Sequence, residues 1–328
     1  MRLYIELMKK YSIFLIFLFS CNSNVDRTQA FVPESSGNLN HVTVVMPEKD
    51  WKSSLGNIVR DSMGVIYEGL PLDESQYSLR YMNPATFKGF ARQNRNVVWF
   101  RKDSISRFQL AKNQFARPQI LALITGEDIE NLIFSFKENI NLLRRTIAEN
   151  ERKEKLRRIN KSLSTENNLK QRFGIRLKYP SAYKTVKDTA NFIWIQKPIQ
   201  KGHLNLVVYT LPENSIDGAF NKKILNIRDS IGRLYIPGRL PGSYLITERA
   251  FRPYFYKVRL DGKEGYLTKG TWEVANDFMA GPFVNYIIHD SLQKRLLVIE
   301  GFAFAPSVSK RDYMFELNTI LSTFKQEN

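Results

Sequence analysis

The chain has one cysteine, Cys21, in 328 residues, so no internal disulfide can form. Whatever it folds into must be held together by burial. The means are present: 43% of the residues are hydrophobic, and a chain of this length can build ample core. The position of Cys21 raises a second point, because it closes a short apolar run near the N-terminus, SIFLIFLFSC at 12–21.

Lys9 and Lys10 precede that run, which has the charge, length and small final residue of an export signal. A membrane-spanning helix needs about 20 apolar residues, and Asn22, Ser23 and Asn24 end the run too early. A plain cleaved signal would have no use for the cysteine. Leu18-Phe19-Ser20-Cys21 resembles the lipobox of bacterial lipoproteins, with Phe19 larger than the usual residue at its place. The resemblance implies that residues 1–20 are removed and that Cys21 is acylated and becomes the new N-terminus. Several acyl chains anchor a protein stably where one does not. The partner implied is a membrane, reached through acylated Cys21. Residues 21–40 are polar and contain Pro33 and Gly37, and they read as a flexible tether.

The formal charge is +17. Such a surface attracts anionic lipid, nucleic acid or acidic polysaccharide, and export argues against nucleic acid. Part of the charge is concentrated. Residues 144–161 hold eight Lys or Arg against three Glu, a net +5. That run reads either as a solvated helix face or as a patch leaning on a negatively charged membrane.

Hydrophobic periodicity organises the rest. Strands are expected at 42–46, 77–82, 94–100, 106–112 and 118–124, with a helix after Pro47 and a short one after Asn83-Pro84. The clearest helix has Thr125 as its expected N-cap, with Asp128 three positions on. Ile129, Leu132, Ile133, Phe136, Ile140, Leu143 and Ile147 form its apolar stripe. The stripe lapses between Ala148 and Lys155, so the second half either projects into water or bridges two parts, with Leu156, Ile159 and Leu163 resuming contact. Beyond Gly174 the chain is strand-rich, with helices expected over 217–231 and at the C-terminus. The fold class is α+β: two related units, 41–165 and 166–328, each an antiparallel sheet with helices on one face, joined by a long basic helix.

The sequence holds no metal-ligating constellation, nucleophile elbow, Walker loop or dinucleotide fingerprint. His41, His203 and His289 lie far apart and read as strand-edge residues. No cofactor is implied. Two stretches are dense in polar and aromatic groups. FKGFARQNRNVVWF at 87–100 offers Arg92, Asn94, Arg95 and Asn96, arranged to hold a carboxylate or phosphate, or simply to close a turn. TWEVANDFMAGPFVNY at 271–286 offers Trp272, Glu273 and Asp277, with Phe278 and Phe283, to line a groove or to build an ordinary long hairpin.

These stretches, with the lipobox, FGIRLKYPSAYK, NFIWIQ and EGFAFAPSVSKRDYMFEL, resemble the DUF4837 family of Bacteroidetes lipoproteins, over essentially the whole exported part. The resemblance implies a cell-envelope lipoprotein at the periplasmic face of the outer membrane, and supplies no activity. The leading expectation is a non-enzymatic binding or assembly module for an envelope protein or polymer. The alternatives are an envelope-polymer hydrolase with Glu273 and Asp277 as its acids, and a structural protein bridging to anionic lipid.

Overall fold

The computed structural model describes residues 32–218 and 220–327. Cys21 and the expected leader lie outside them. The expected tether partly does as well, but its second half belongs to the body. Arg117 donates its backbone N–H to Pro33, Ser36 donates to Gln93, and Asn40 is 3% exposed. Polar composition suggested free chain here, whereas backbone pairing with neighbouring loops fixes it.

The first sheet runs β2 (Ser78–Met82), β1 (His41–Val45), β3 (Asn96–Lys102), β5 (Ile120–Gly126), β4 (Arg107–Lys112). All its pairings are parallel except β4 with β5. The expected antiparallel sheet is therefore corrected for this unit. Helices α1 (Glu48–Trp51) and α2 (Ser54–Met63) lie in the connection from β1 to β2, and such a crossover returns the chain parallel. The near-continuous apolar runs VTVV and ILALIT fit strands buried on both faces. Val42, Val44, Val98, Phe100 and Ile124 pack against α2 and α3 (Ile129–Asn160), while Val45, Val97 and Leu121 pack against Phe87 and Phe115.

Helix α3 starts later than expected. β5 continues through Gly126, and Asp128 is the N-cap, accepting the Asn131 N–H at 2.8 Å. Thr125 remains in β5, its hydroxyl donating to Ile105 at 2.7 Å. Leu132, Phe136, Leu143 and Ile147 enter the first core, and Ile159 enters the second, so α3 bridges the two units.

The second sheet is antiparallel throughout: β10 (Tyr244–Thr247), β12 (Lys263–Ala275), β13 (Asp277–Asp290), β14 (Arg295–Phe304), β9 (Gly202–Pro212), β8 (Phe192–Ile199), β7 (Lys184–Thr189). β11 (Tyr254–Leu260) pairs with β12 beside β10. Helices cover both faces rather than one. Helix α4 (Asn168–Phe173) and α6 (Arg311–Leu321) pack with Ile195, Leu206, Val284 and Ile299. Helix α5 (Phe220–Tyr235) packs on the opposite face with Val207, Phe283, Ile287 and Val298. The reason lies in β9, β13 and β14, whose residues are buried on both faces and need a cover on each. The units are both α+β in composition but differ in strand direction and order, so they are not copies of one motif. The small β6 (Ile175–Arg176) and β15 (Lys325–Gln326) pair with each other.

Charged residues fix α3 on the first sheet and tie the two units together. Glu151, in the lapse of the apolar stripe, accepts from Arg95 Nε at 2.6 Å, Asn96 Nδ2 at 2.6 Å and the Asn40 N–H at 2.6 Å, and its side chain is fully buried. Glu74 caps α6 across the boundary, accepting the Lys310 and Arg311 N–H groups at 2.7 and 3.0 Å. Glu316 of α6 pairs with Lys155 of α3 and with Lys197 of β8, and accepts the Tyr183 hydroxyl at 2.9 Å.

Removing one partner of a buried ion pair leaves the other uncompensated, at a cost of about 3–5 kcal/mol. Glu151→Ala is therefore expected to lower unfolding stability by about that amount. A denaturant midpoint close to that of the parent chain would refute this account of α3. Burial alone would raise the Glu316 pKa, but the Lys155 and Lys197 ammoniums more than offset it and hold the carboxyl below the usual glutamate range. Its contribution is then full above the ordinary glutamate pKa and is lost as pH falls through the depressed folded value. Thermal melts across the acid range are expected to show a steeper loss of stability in the parent chain than in Glu316→Gln.

Candidate functional site

Pairs of residues two apart on a strand face the same side. On the α5 side of the second sheet, four strands each contribute such a pair to one cavity: Trp194 and Gln196, His203 and Asn205, Trp272 and Val274, Phe302 and Phe304. Its volume is about 270 Å³. The loop after α5, Ile236 to Arg239, forms the roof, and Leu245 of β10 and Met279 of β13 complete the wall.

The aromatic rings brace one another. Trp272 meets Phe302 edge-on at 5.8 Å between centroids and tilts against Phe304 at 6.3 Å. Asn205 is buried and organises the polar edge. Its Oδ1 accepts from Trp194 Nε1 and from Gln196 Nε2, both at 3.0 Å, and its Nδ2 donates to the Phe302 carbonyl at 3.3 Å. The Nε1 of Trp272 is buried without a hydrogen-bond partner, on a side chain whose residue is 2% exposed. An unpaired buried donor costs free energy, and eight other buried side-chain polar atoms among the described residues share that state. Opposite it stands Gly281, where a side chain would come within 2.2 Å of the Ala303 carbonyl oxygen and 3.0 Å of Trp272 Nε1.

The roof is held from two directions. Arg239 grips Asp277 with two parallel bonds, at 2.9 and 3.1 Å. The Asp277 carboxyl is thereby held below the usual aspartate range. Beneath, Arg228 of α5 forms a buried pair with Glu300 of β14 at 2.7 Å and donates to Thr247 of β10 at 3.0 Å. Its guanidinium lies 3.8 Å over the Phe283 ring. Asn285 donates a further bond to Glu300 at 2.8 Å. Gly232 lets α5 sit on β10, since a side chain there would meet the Leu245 carbonyl oxygen at 1.9 Å. Helix, strand and loop are thus fixed as one cover.

The structure disperses the residues named from sequence. Trp272 lines the cavity and Asp277 anchors its roof, while Glu273 is not among the lining residues. Phe278, at the hairpin tip, is fully exposed, and Phe283 is core. The other set lies on the first unit. Arg95 and Asn96 are 2% and 1% exposed and are consumed by Glu151, so they form no contact surface. Arg92 donates to the Phe87 carbonyl at 3.2 Å and stacks on Phe115, and Asn94 donates to the Ala91 carbonyl at 2.7 Å. Arg92 and Asn94 hold a turn. Sequence reading missed Trp194, Gln196, His203, Asn205, Arg239, Phe302 and Phe304. The available signal was the recurrence of aromatic or amide residues two apart in WIQ, HLN and FAF. His203, expected at a strand edge, faces the cavity. Among the described residues no cluster of side chains fits a metal ion, and no helix is long and apolar enough to cross a membrane.

The second unit is a helix-covered antiparallel sheet with a roofed aromatic cavity. Residues 162–323 match the family model described as "Domain of unknown function (DUF4837)", so the C-terminal unit belongs to that family. Residues 35–160 match a different model, "Domain of unknown function (DUF8532)". The expected DUF4837 resemblance over the whole body is therefore confined to its C-terminal unit, and the stretch at 87–100 falls within the second model. No curated protein matches the chain. Among solved structures, the Ran-binding protein Mog1p of Saccharomyces cerevisiae is 10% identical with a TM-score of 0.32, over 47% of this chain and 90% of that one. A STAR-related lipid transfer protein fragment from Xanthomonas axonopodis is 11% identical with a TM-score of 0.20, over 43% and 96%. Likeness at this level carries no functional argument.

Asp277→Ala frees Arg239 and is expected to loosen the roof. Hydrogen exchange of the amides over 236–243 should quicken several-fold while the β9 and β14 amides keep their protection. Unchanged exchange in the loop would show that the ion pair does not hold it.

Proposed function

We propose that this protein is a non-enzymatic binding module of the cell envelope, carried on acylated Cys21 at the periplasmic face of the outer membrane. Its ligand site is the roofed cavity of the second unit. The observation that carries this reading is the roofed aromatic cavity, lined by Trp194, Trp272, Phe302 and Phe304 with Gln196, His203 and Asn205 at its polar edge. Sites for small ligands are concave and mostly apolar, with a few placed polar groups. The volume suits one ring-sized group rather than an extended chain. The Arg239–Asp277 pair leaves no unbalanced charge at the rim, which favours a neutral ligand. An apolar face for the Trp and Phe rings and a hydroxyl or carbonyl edge for Trp272, Gln196 and His203 describe a saccharide unit of an envelope polymer.

Binding is favoured over hydrolysis by the lining itself. Glycoside hydrolysis ordinarily needs two carboxyl groups flanking the bond. No Asp or Glu lines this cavity, and the Asp277 carboxylate is occupied by Arg239.

Titration with neutral hexose and N-acetylated amino-sugar disaccharides, followed by tryptophan fluorescence and calorimetry, tests the site. One of these probes is expected to bind. Trp194→Ala and Phe304→Ala are each expected to weaken it about tenfold, equivalent to ~1.4 kcal/mol. Trp272→Phe, which keeps the ring and removes the donor, is expected to lower affinity with little effect on the melting temperature. Binding that is indifferent to all three substitutions would place the ligand elsewhere.

A further inference from the structure

Val32, where the described chain begins, lies in a hollow lined also by Glu34, Arg117, Lys153 and Arg157. Pro33 accepts the Arg117 backbone N–H at 2.8 Å, so the entering chain is pinned to this face. Lys153 and Arg157 on α3 and Lys161 at its C-cap are spaced by four and form one stripe. Lys153 and Lys161 are exposed and form no salt bridge among the described residues, nor does Arg117. The acids nearby are already engaged. Glu154 is held to about 2 because the Arg157 and Arg158 guanidiniums outweigh its burial, and Glu34 pairs with Arg157 at 3.6 Å. The face therefore carries surplus positive charge.

Only ten residues, 22–31, separate Cys21 from Val32, a span of eleven residue steps. Fully extended they reach about 40 Å. A body anchored at Cys21 thus stays close to the bilayer, and the face around Val32 is the one the anchor draws towards it. Screening limits the attraction of exposed charges to about 8–10 Å, a gap that this leash permits the body to close. We propose that Arg117 and the Lys153–Arg157–Lys161 stripe dock on an anionic lipid surface and orient the body on its own anchor. This inference rests on the acyl-anchor reading and is independent of the ligand cavity.

The test uses the lipidated full chain on vesicles of phosphatidylcholine alone or with phosphatidylglycerol. Acetylation of individual lysines is followed by mass spectrometry. Lys153 and Lys161 are expected to react several-fold more slowly on the anionic vesicles, with the difference abolished at high salt. Lys222, exposed on α5 across the second sheet from α3, is expected to react equally on both. Arg117→Glu should reduce the protection of Lys153 without releasing the protein. Equal labelling of Lys153 and Lys161 on both vesicles, with the protein still bound, overturns the docking face and leaves the anchor standing. Protein that binds neither vesicle overturns the anchor and the docking face with it.

Discussion

The buried carboxylate of Glu151 is the constraint that sets the bridging helix α3 on the first sheet. It sits where the apolar stripe of α3 stops, between a stretch that packs on the first sheet and a stretch that enters the second core. A helix of 32 residues needs cover along its length or water around it. Here the buried side of the middle is not apolar, while Glu149, Arg152 and Lys153 face solvent. Arg95, Asn96 and the Asn40 backbone surround the carboxylate and satisfy it. Satisfied in this way, a buried charge specifies one register of helix against sheet, because a shift of even one residue would strand it. The same helix then delivers Lys155 to Glu316, and the first unit delivers Glu74 to the N-terminus of α6. The units meet through charges placed at defined points and through an apolar contact, in which Leu70, Leu156 and Ile159 pack into the second core.

A second buried pair performs the equivalent task at the cavity. Arg228 and Glu300 tie α5 to β14, and Thr247 brings β10 into the same network. The roof loop leaves the end of α5 and returns into β10, so its position follows from theirs. The Arg239–Asp277 clasp then closes its free side. Rigid strands supply the floor and a pinned loop supplies the lid, which is the division of labour expected of a binding site built on a stable scaffold. The indole nitrogen of Trp272 is one of nine buried side-chain polar atoms among the described residues that have no hydrogen-bond partner.

Much of the architecture was legible in local pattern. The stripe from Ile129 to Ile147 announced α3, its lapse announced a change of surroundings, and β11 and the strands around it followed from alternation. Strand direction in the first unit was not legible from the runs alone, because a buried strand looks the same whichever way its neighbour points. Covering helices on both faces of the second sheet were implied by β9 and β14, which have no polar face, but the inference needs both strands seen side by side. The basic run at 144–161 misled more subtly. Its composition suggests a uniform charged face, yet its members divide between Glu154, Glu316, the Ser62 carbonyl and open solvent. The arginine-rich turn at 92–96 looked like a contact surface because Arg and Asn serve recognition and internal satisfaction with the same donors.

The sequence alone determined that no disulfide could hold this chain, that it is an α+β protein in two parts, and that a long helix joins them. Those properties follow from cysteine count and from periodicity, which the chain carries at short range. Only the tertiary structure decided which charges are buried, which way the strands of the first sheet run, and which four strands pool their side chains into one cavity. Each of these depends on residues far apart in the chain: Arg95 with Glu151, Arg228 with Glu300, Trp194 with Trp272. A side chain's role is set by what faces it, and that pairing exists only once the chain has closed on itself.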